Sequence, residues 1–159
     1  MFRPMRRIKQ QVSDEECIRI LKEEKRAALS VIGDDGYPYT VPIDFYYDES
    51  DGRIYLHCAK TGHKIDAIKK CDKVCFTVWK QGYKTEGNWE WNVTSVIVFG
   101  RARFIDDRSF WEDKLRKLTE KYYPSAEAVE AAMHIPSVNV VQMMAIDIEH
   151  MTGKLVNEK

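Results

Sequence analysis

The sequence predicts a mainly β domain with peripheral α-helices, built as a small six-stranded antiparallel barrel. Three observations carry this. Short runs rich in Val, Ile, Phe, Tyr and Thr recur along the chain. Some alternate, as Val74, Phe76 and Val78 do against Cys75, Thr77 and Trp79. Turn sequences at Gly33-Asp34-Asp35-Gly36 and Asp48-Glu49-Ser50-Asp51-Gly52 join successive runs as hairpins, which makes the pairing antiparallel. The longer helix-patterned stretches, 13–24 and 107–134, stand outside the strand runs. Closing such a sheet on itself removes its edges.

The chain has 159 residues, enough for one domain over 1–159 with a real core. Hydrophobic residues make up 44% and charged residues 31%, which excludes a disordered chain. Lys+Arg and Asp+Glu are equal at 25 each, so nothing marks nucleic acid as the main partner. The basic residues Arg3, Arg6, Arg7 and Lys9 precede no apolar run, so no secretory signal is read. No apolar run is long enough to span a bilayer. The expectation is a cytoplasmic protein without a membrane partner.

Taken in order, Ser13-Asp14-Glu15-Glu16 fits a capping box and starts a helix that runs to about Glu24. Ala27 to Ile32 is the first strand. Tyr39 to Tyr47 is the second. Pro38 and Pro42 cannot donate to a ladder, so this strand is expected at an edge or bulged near Pro42. Arg53 to His57 is the third strand, Lys73 to Lys80 the fourth. Gln81 to Asn92 reads as a loop or hairpin end. Thr94 to Ile105 is the fifth strand, and Gly100 within it implies a bulge or a close backbone approach. Asp106 or Asp107 caps a helix whose stripe is Trp111, Leu115, Leu118 and Tyr122. Pro124 ends it, and Ser125 starts a shorter helix to about His134. Val138 to Glu149 is the last strand. The tail, Met151 to Lys159, is expected to be partly ordered.

The chemistry concentrates in His57-Cys58-Ala59-Lys60-Thr61-Gly62-His63-Lys64, between the third strand and a short helix, Ile65 to Lys70. A strand that stops at a helix start leaves backbone N–H groups unpaired. With the helix dipole and a nearby cation they make an anion site. His63 and Lys64 in the first turn oppose the dipole, a penalty that a bound phosphate reverses. The plain alternative is a solvated loop with incidental lysines. The four cysteines, Cys17, Cys58, Cys71 and Cys75, form no C-x-x-C pair, so free thiols are expected and no metal site.

Several blocks resemble a known family. These are Val41-Pro42-Ile43-Asp44-Phe45-Tyr46, Ile54-Tyr55-Leu56-His57-Cys58-Ala59, Gly62-His63-Lys64, Val74-Cys75-Phe76-Thr77-Val78 and Ser95-Val96-Ile97-Val98-Phe99-Gly100-Arg101-Ala102. Together they are similar to the pyridoxamine 5′-phosphate oxidase-like FMN-binding split barrels, most of all to the nitroimidazole-resistance (Nim) branch. The resemblance implies FMN at the interface of a homodimer. It implies a phosphate held by Gly62, His63 and Lys64, and a flavin ring lined by Val41, Pro42 and Ile43. His57 and Cys58 would lie at the ring or ribityl side, and Ser95 would be a further flavin contact. His63 stands where true pyridoxamine phosphate oxidases have arginine. Their Arg-rich C-terminal segment has no counterpart here, so vitamin B6 oxidation is not expected.

Two functions follow from the resemblance. One is an FMN-dependent oxidoreductase that takes electrons from a transient NADH or NADPH and reduces small electrophiles such as nitro-aromatics. His57 would be its proton donor, the plain alternative being a packed strand histidine. The other is a non-catalytic flavin- or haem-binding or storage protein. Alternation along the third strand puts Ile54, Leu56 and Cys58 in the barrel, and Tyr55 and His57 on its outer face, where cofactor and partner subunit would meet.

Overall fold

The computed structural model describes residues 1–157. Nine antiparallel strands make one sheet: β1 (Gln11–Val12), β2 (Ala27–Ile32), β3 (Pro38–Ile43), β4 (Tyr46–Asp48), β5 (Arg53–Ala59), β6 (Lys73–Trp79), β7 (Tyr83–Lys84), β8 (Trp91–Ile105) and β9 (Val141–Asn157). The helices are α1 (Asp14–Glu23), α2 (His63–Lys70), α3 (Arg108–Tyr122) and α4 (Ala126–Met133). Their starts follow from local chemistry. Ser13 Oγ accepts from Glu16 N at 3.2 Å, Asp107 Oδ1 from Phe110 N at 3.1 Å, and Ser125 Oγ from Ala128 N at 3.2 Å. Glu16 does not complete the box, because its carboxylate is held by Arg19.

The strand order is β3-β2-β6-β8-β9-β5-β4. β3 and β4 therefore sit at opposite ends of the order, yet only Asp44 and Phe45 separate them in the chain. This is where the structure corrects the single strand read over Tyr39–Tyr47. The β2 ladder ends at Ala27–Ile43, and the β5 ladder begins at Tyr46–Tyr55. Phe45 lies between, fully buried, its backbone out of both ladders. The hydroxyl of Tyr122 takes over: Oη accepts from Phe45 N at 2.8 Å, and it reaches Phe45 O at 3.0 Å and Lys25 O at 2.6 Å. The result is a split barrel with β3 as one edge, as Pro38 and Pro42 require.

Two further departures from the six expected strands lie at the margins. β1 and β7 are two-residue additions to β9 and β8. The tail is not partly ordered through 157: β9 runs on to Asn157 and pairs with β8 as far as Asn92. Glycine explains part of this. A Cβ on Gly153 would meet Cys17 Sγ at 2.4 Å, so glycine lets β9 lie against α1. The tail's last two residues lie outside the described residues. Gly100 behaves as read: the β8–β9 register shifts between Phe99 and Gly100, and a Cβ there would sit 2.4 Å from Asp147 O.

The sheet has two cores. Leu29, Phe45, Ile54, Leu56, Phe76, Val96, Val98, Met144 and Ile146 fill the barrel, joined by Ile20 and Leu21 of α1 and Ile65 and Ile68 of α2. On the outer face of β5 and β9, Tyr55, Met143 and Ala145 pack against Trp111 and Leu115 of α3. The alternation in β5 therefore holds. Its outer face is nonetheless covered by this chain's own α3, where the sequence reading expected a partner subunit. Each fully buried apolar side chain of this kind contributes roughly 1.5–3 kcal/mol.

α3 is fixed by charge as well. Lys114, 5% exposed, puts Nζ 2.7 Å from Asp48 Oδ2 and 3.3 Å from Asp51 Oδ2, and Tyr55 Oη donates to Asp51 Oδ2 at 2.5 Å. Burial pushes the Asp48 carboxyl upward. The bonds from Lys114 and Ser50 outweigh it and hold the group well below the usual carboxylate range.

Tyr122→Phe removes the partner of a buried N–H. It should lower stability by about 1–3 kcal/mol in urea unfolding, and an unchanged midpoint would rule out the closing role of this hydroxyl. Lys114→Met takes the closest cation from the buried Asp48, leaving Lys117 at 3.6 Å and the bonds from Ser50, and should cost up to about 3–5 kcal/mol. Asp48 has a folded pKa below its unfolded one. Its stabilisation is therefore present above the unfolded value, near ~3.9, and is lost as pH falls below it towards the folded value. Acid unfolding of the wild type and Lys114→Met, followed by circular dichroism, should converge at low pH. Curves that stay parallel would remove the pair from the acid response.

Candidate functional site

β5 delivers His57 to the outer face and Cys58 to the barrel, and the chain then turns through Lys60–Gly62 into α2. Gly62 makes that turn at φ 124°, a backbone that L side chains rarely adopt, and nothing lies within 4 Å of where a Cβ would be. Gly62 O accepts from Ile65 N and Asp66 N. The N–H groups of His63 and Lys64 belong to the first helical turn, which has no internal acceptors for them. The Lys64 side chain makes no ion pair among the described residues. Gly62, the first-turn N–H groups and Lys64 thus lie together at the start of an eight-residue helix.

His63 has a second engagement that the sequence did not reveal. Its ring stacks on Tyr39 of β3 at 4.1 Å, and Nε2 lies 3.6 Å from Asp34 Oδ2. Lys70 Nζ is 3.0 Å from Asp34 Oδ1. The tip of the β2–β3 hairpin is thus tied to α2, which brings β3 beside the turn. In β3, Val41 and Ile43 face the barrel and Pro42 faces out. Among the described residues β3 pairs only with β2, so one of its edges keeps free backbone groups. Ser95 is elsewhere: it pairs with Trp79 and Lys154, at the far end of the β6–β8 ladder from Lys73–Arg101. The structure brings Val41, Pro42, Ile43, His57, Cys58, Gly62, His63 and Lys64 to one region and leaves Ser95 outside it within one chain.

His57 is half-buried and lines a cavity of about 280 Å³ under α3 and α4. Nδ1 is enclosed and has no hydrogen-bond partner among the described residues. Burial pushes the His57 pKa below its ordinary value. Asp44 opposes the shift and Lys64 adds to it. The imidazole is therefore neutral at pH 7, a hydrogen-bond donor more than a charged acid. Cys58 lies on the opposite face, its Sγ 3.5 Å from Gln142 O, and burial raises its pKa against the pull of Lys64. All four cysteines are free, and no group of three His, Cys, Asp or Glu suited to a metal occurs among the described residues.

A sequence reading on strand residues missed what α3, α4 and the turn after them (Pro136–Val140) bring: Thr119, Tyr122, Met133 and Val138 around His57. Asp44 was missed too. An aspartate inside Val41-Pro42-Ile43-Asp44-Phe45-Tyr46 was the available signal, since Asp is depleted in strands.

A family model described as pyridoxamine 5′-phosphate oxidase matches residues 13–155. The chain belongs to the pyridoxamine 5′-phosphate oxidase family. No curated protein matches the sequence. Among solved structures, a candidate 5-nitroimidazole antibiotic resistance protein from Bacteroides thetaiotaomicron shares 22% identity at a TM-score of 0.77, over 92% of this chain and 87% of that one. A FAD-binding protein from Mesorhizobium loti shares 23% at 0.66, over 92% and 97%. A FAD and haem binding protein from Mycobacterium smegmatis shares 19% at 0.75, over 94% and 74%. At these identities the likeness is one of fold. Among the described residues no helix is long and apolar enough to cross a membrane.

The geometry around His57 has a direct test. Followed by NMR, its imidazole should titrate below the usual ~6.5. Asp44→Asn should lower the midpoint further, and Lys64→Ala should raise it. A midpoint at or above the free value contradicts the enclosed Nδ1.

Proposed function

We propose that this chain is a flavin-binding oxidoreductase that prefers FMN, acts as a homodimer and reduces small electrophiles such as nitro-aromatics. The carrying observation is the β5–α2 turn, where Gly62, the first-turn N–H groups and a Lys64 unpaired among the described residues come together, with His63 stacked on Tyr39 of β3. This donor set fits a terminal monophosphate, and the open space beside Gly62 leaves room for it. Val41, Pro42 and Ile43 would meet the ring through backbone groups. A bound flavin supplies the two-electron chemistry, with a reduced nicotinamide as donor. His57 donates a hydrogen bond to the acceptor molecule, and α3 with α4 keeps water from that side.

The dimer reading draws on the outer faces of β6 and of the 95–99 part of β8, which carry exposed apolar side chains. Trp79 is 48% exposed there, Ile97 38% and Phe99 41%, with Tyr83 and Trp89 exposed beyond them. Aromatic residues of this kind are enriched at interfaces. A second copy on this face would also bring its own Ser95 to a place that one chain does not provide. The solved structure named for FAD and haem favours a second reading, a carrier without turnover.

Titration with FMN and FAD, with absorbance recorded, separates these cases. FMN should bind more tightly, and Lys64→Ala should weaken it about ten- to a hundred-fold. Unchanged affinity removes Lys64 from the site, and a Soret band on the purified protein favours the haem carrier. His57→Ala should keep FMN but lower NADH- or NADPH-driven nitro-reduction about ten-fold or more. Equal turnover per flavin would leave His57 a packing residue. Sedimentation should give twice 18.6 kDa.

A further inference from the structure

Lys121, in the last turn of α3, is a half-buried amine that the flavin site does not use. Its Nζ lies 3.8 Å from the centroid of the fully buried Phe45 ring and donates to Leu21 O, near the end of α1, at 3.2 Å. Among the described residues it pairs with no carboxylate; an aromatic face and one carbonyl are its partners. These do not replace the water that an ammonium loses, so burial drives the Lys121 pKa down to about 8. Lys25 pushes the same way, and Glu24 and Asp44 oppose it. At neutral pH part of this amine is free base, whereas an exposed lysine is almost wholly charged.

Lys121 also lines an open groove of about 480 Å³ between α3, the end of α1 and the β4–β5 hairpin. The other cations of its wall are committed. Lys22 Nζ is 2.7 Å from Glu49 Oε2, and Lys117 Nζ is 3.1 Å from Asp113 Oδ2 and 3.6 Å from Asp48 Oδ2. Tyr46 and Tyr47 are neutral, since burial raises the pKa of both hydroxyls. Glu120 is the remaining carboxylate of the wall. The groove therefore presents a free amine and no spare cation to balance a phosphate or a carboxylate.

We propose that Lys121 is a covalent carbonyl-binding site, whose Nζ condenses with a small uncharged aldehyde to form a Schiff base. The lone pair of Nζ attacks the carbonyl carbon, and the carbon–oxygen bond breaks as water leaves. An ammonium and an aldehyde thus become an iminium and water, with no change of oxidation state. The iminium keeps its positive charge over the Phe45 ring, and its one N–H remains for Leu21 O. An amide or a carbamate at the same nitrogen would discard that charge. Desolvated lysines of this kind are the ones that form Schiff bases with carbonyl compounds. The site is independent of the flavin cradle at the start of α2.

Propanal with cyanoborohydride tests this on the full chain at neutral pH, with and without flavin. The hydride reduces the iminium to a stable propylamine, which peptide mass spectrometry locates and counts. Lys121 should be labelled about ten-fold faster than the exposed Lys69 and Lys73. The preference should shrink as pH rises towards the ordinary lysine value of ~10.4, where the exposed amines also lose their protons, and it should vanish in urea. Lys121→Arg keeps a cation over Phe45, so it should fold and lose the excess of label. Glyoxylate, an aldehyde that carries a carboxylate, should show a smaller preference for Lys121 than propanal does. Equal rates at Lys121 and Lys69 overturn the proposal, as does a preference that persists in urea or an excess that survives Lys121→Arg. A Lys121 that takes no label is a clamp between α3 and α1 and nothing more, and a glyoxylate preference as large as that of propanal overturns the uncharged class.

Discussion

The hydroxyl of Tyr122, at the point where β3 gives way to β4, is the contact on which the rest of the structure depends. A sheet cannot turn from one edge to the other within two residues and keep its ladders. The backbone of Phe45 therefore leaves both, inside a core where no water can replace the lost partners. An unpaired buried amide is expensive, so the break needs a donor and acceptor from elsewhere. Tyr122 supplies both from the end of α3. That ties the helix to the split and sets the helix over β5. The cavity around His57, with Asp44 and Tyr122 in its wall, follows from the same junction.

The placement of His57 shows how far simple alternation reaches. Period-two geometry sends Ile54, Leu56 and Cys58 one way and Tyr55 and His57 the other, whatever packs outside. It does not say what covers the outer face. Here the cover is apolar helix from the same chain, and this decides the protonation of the imidazole. An outer face open to solvent would leave His57 free to charge. Under α3 and α4 it is neutral, with its proton directed by the lack of a partner at Nδ1.

Much of the fold was legible because it rests on local rules. Ser13, Asp107 and Ser125 cap the helices they precede, and Gly100 marks the bulge. Pro38 and Pro42 place β3 at an edge. The break at Asp44 was not placed, because the strand-forming residues on either side of Pro42 and Asp44 read as one run and only long-range pairing divides them. The extension of β9 was missed for a similar reason: the partners of Met151 to Asn157 lie some sixty residues earlier in β8. The burial of Lys114 had no local signal, since its partners Asp48 and Asp51 come from a distant hairpin. Of the site, the turn at Gly62 to Lys64 was readable from spacing, and the contact of His63 with Tyr39 and Asp34 was not.

β9 pairs with β1, β5 and β8, and it leaves the ribosome after all of them. Until it emerges, β5 has only the short β4 beside it, and β8 has an open side along most of its length. The nascent chain therefore holds two half-sheets with apolar faces and unpaired edges, the kind of surface that chaperones recognise. Folding is completed by one long strand inserted between two preformed pieces. Few of its contacts are local in sequence, which makes that insertion the slow step of synthesis-coupled folding.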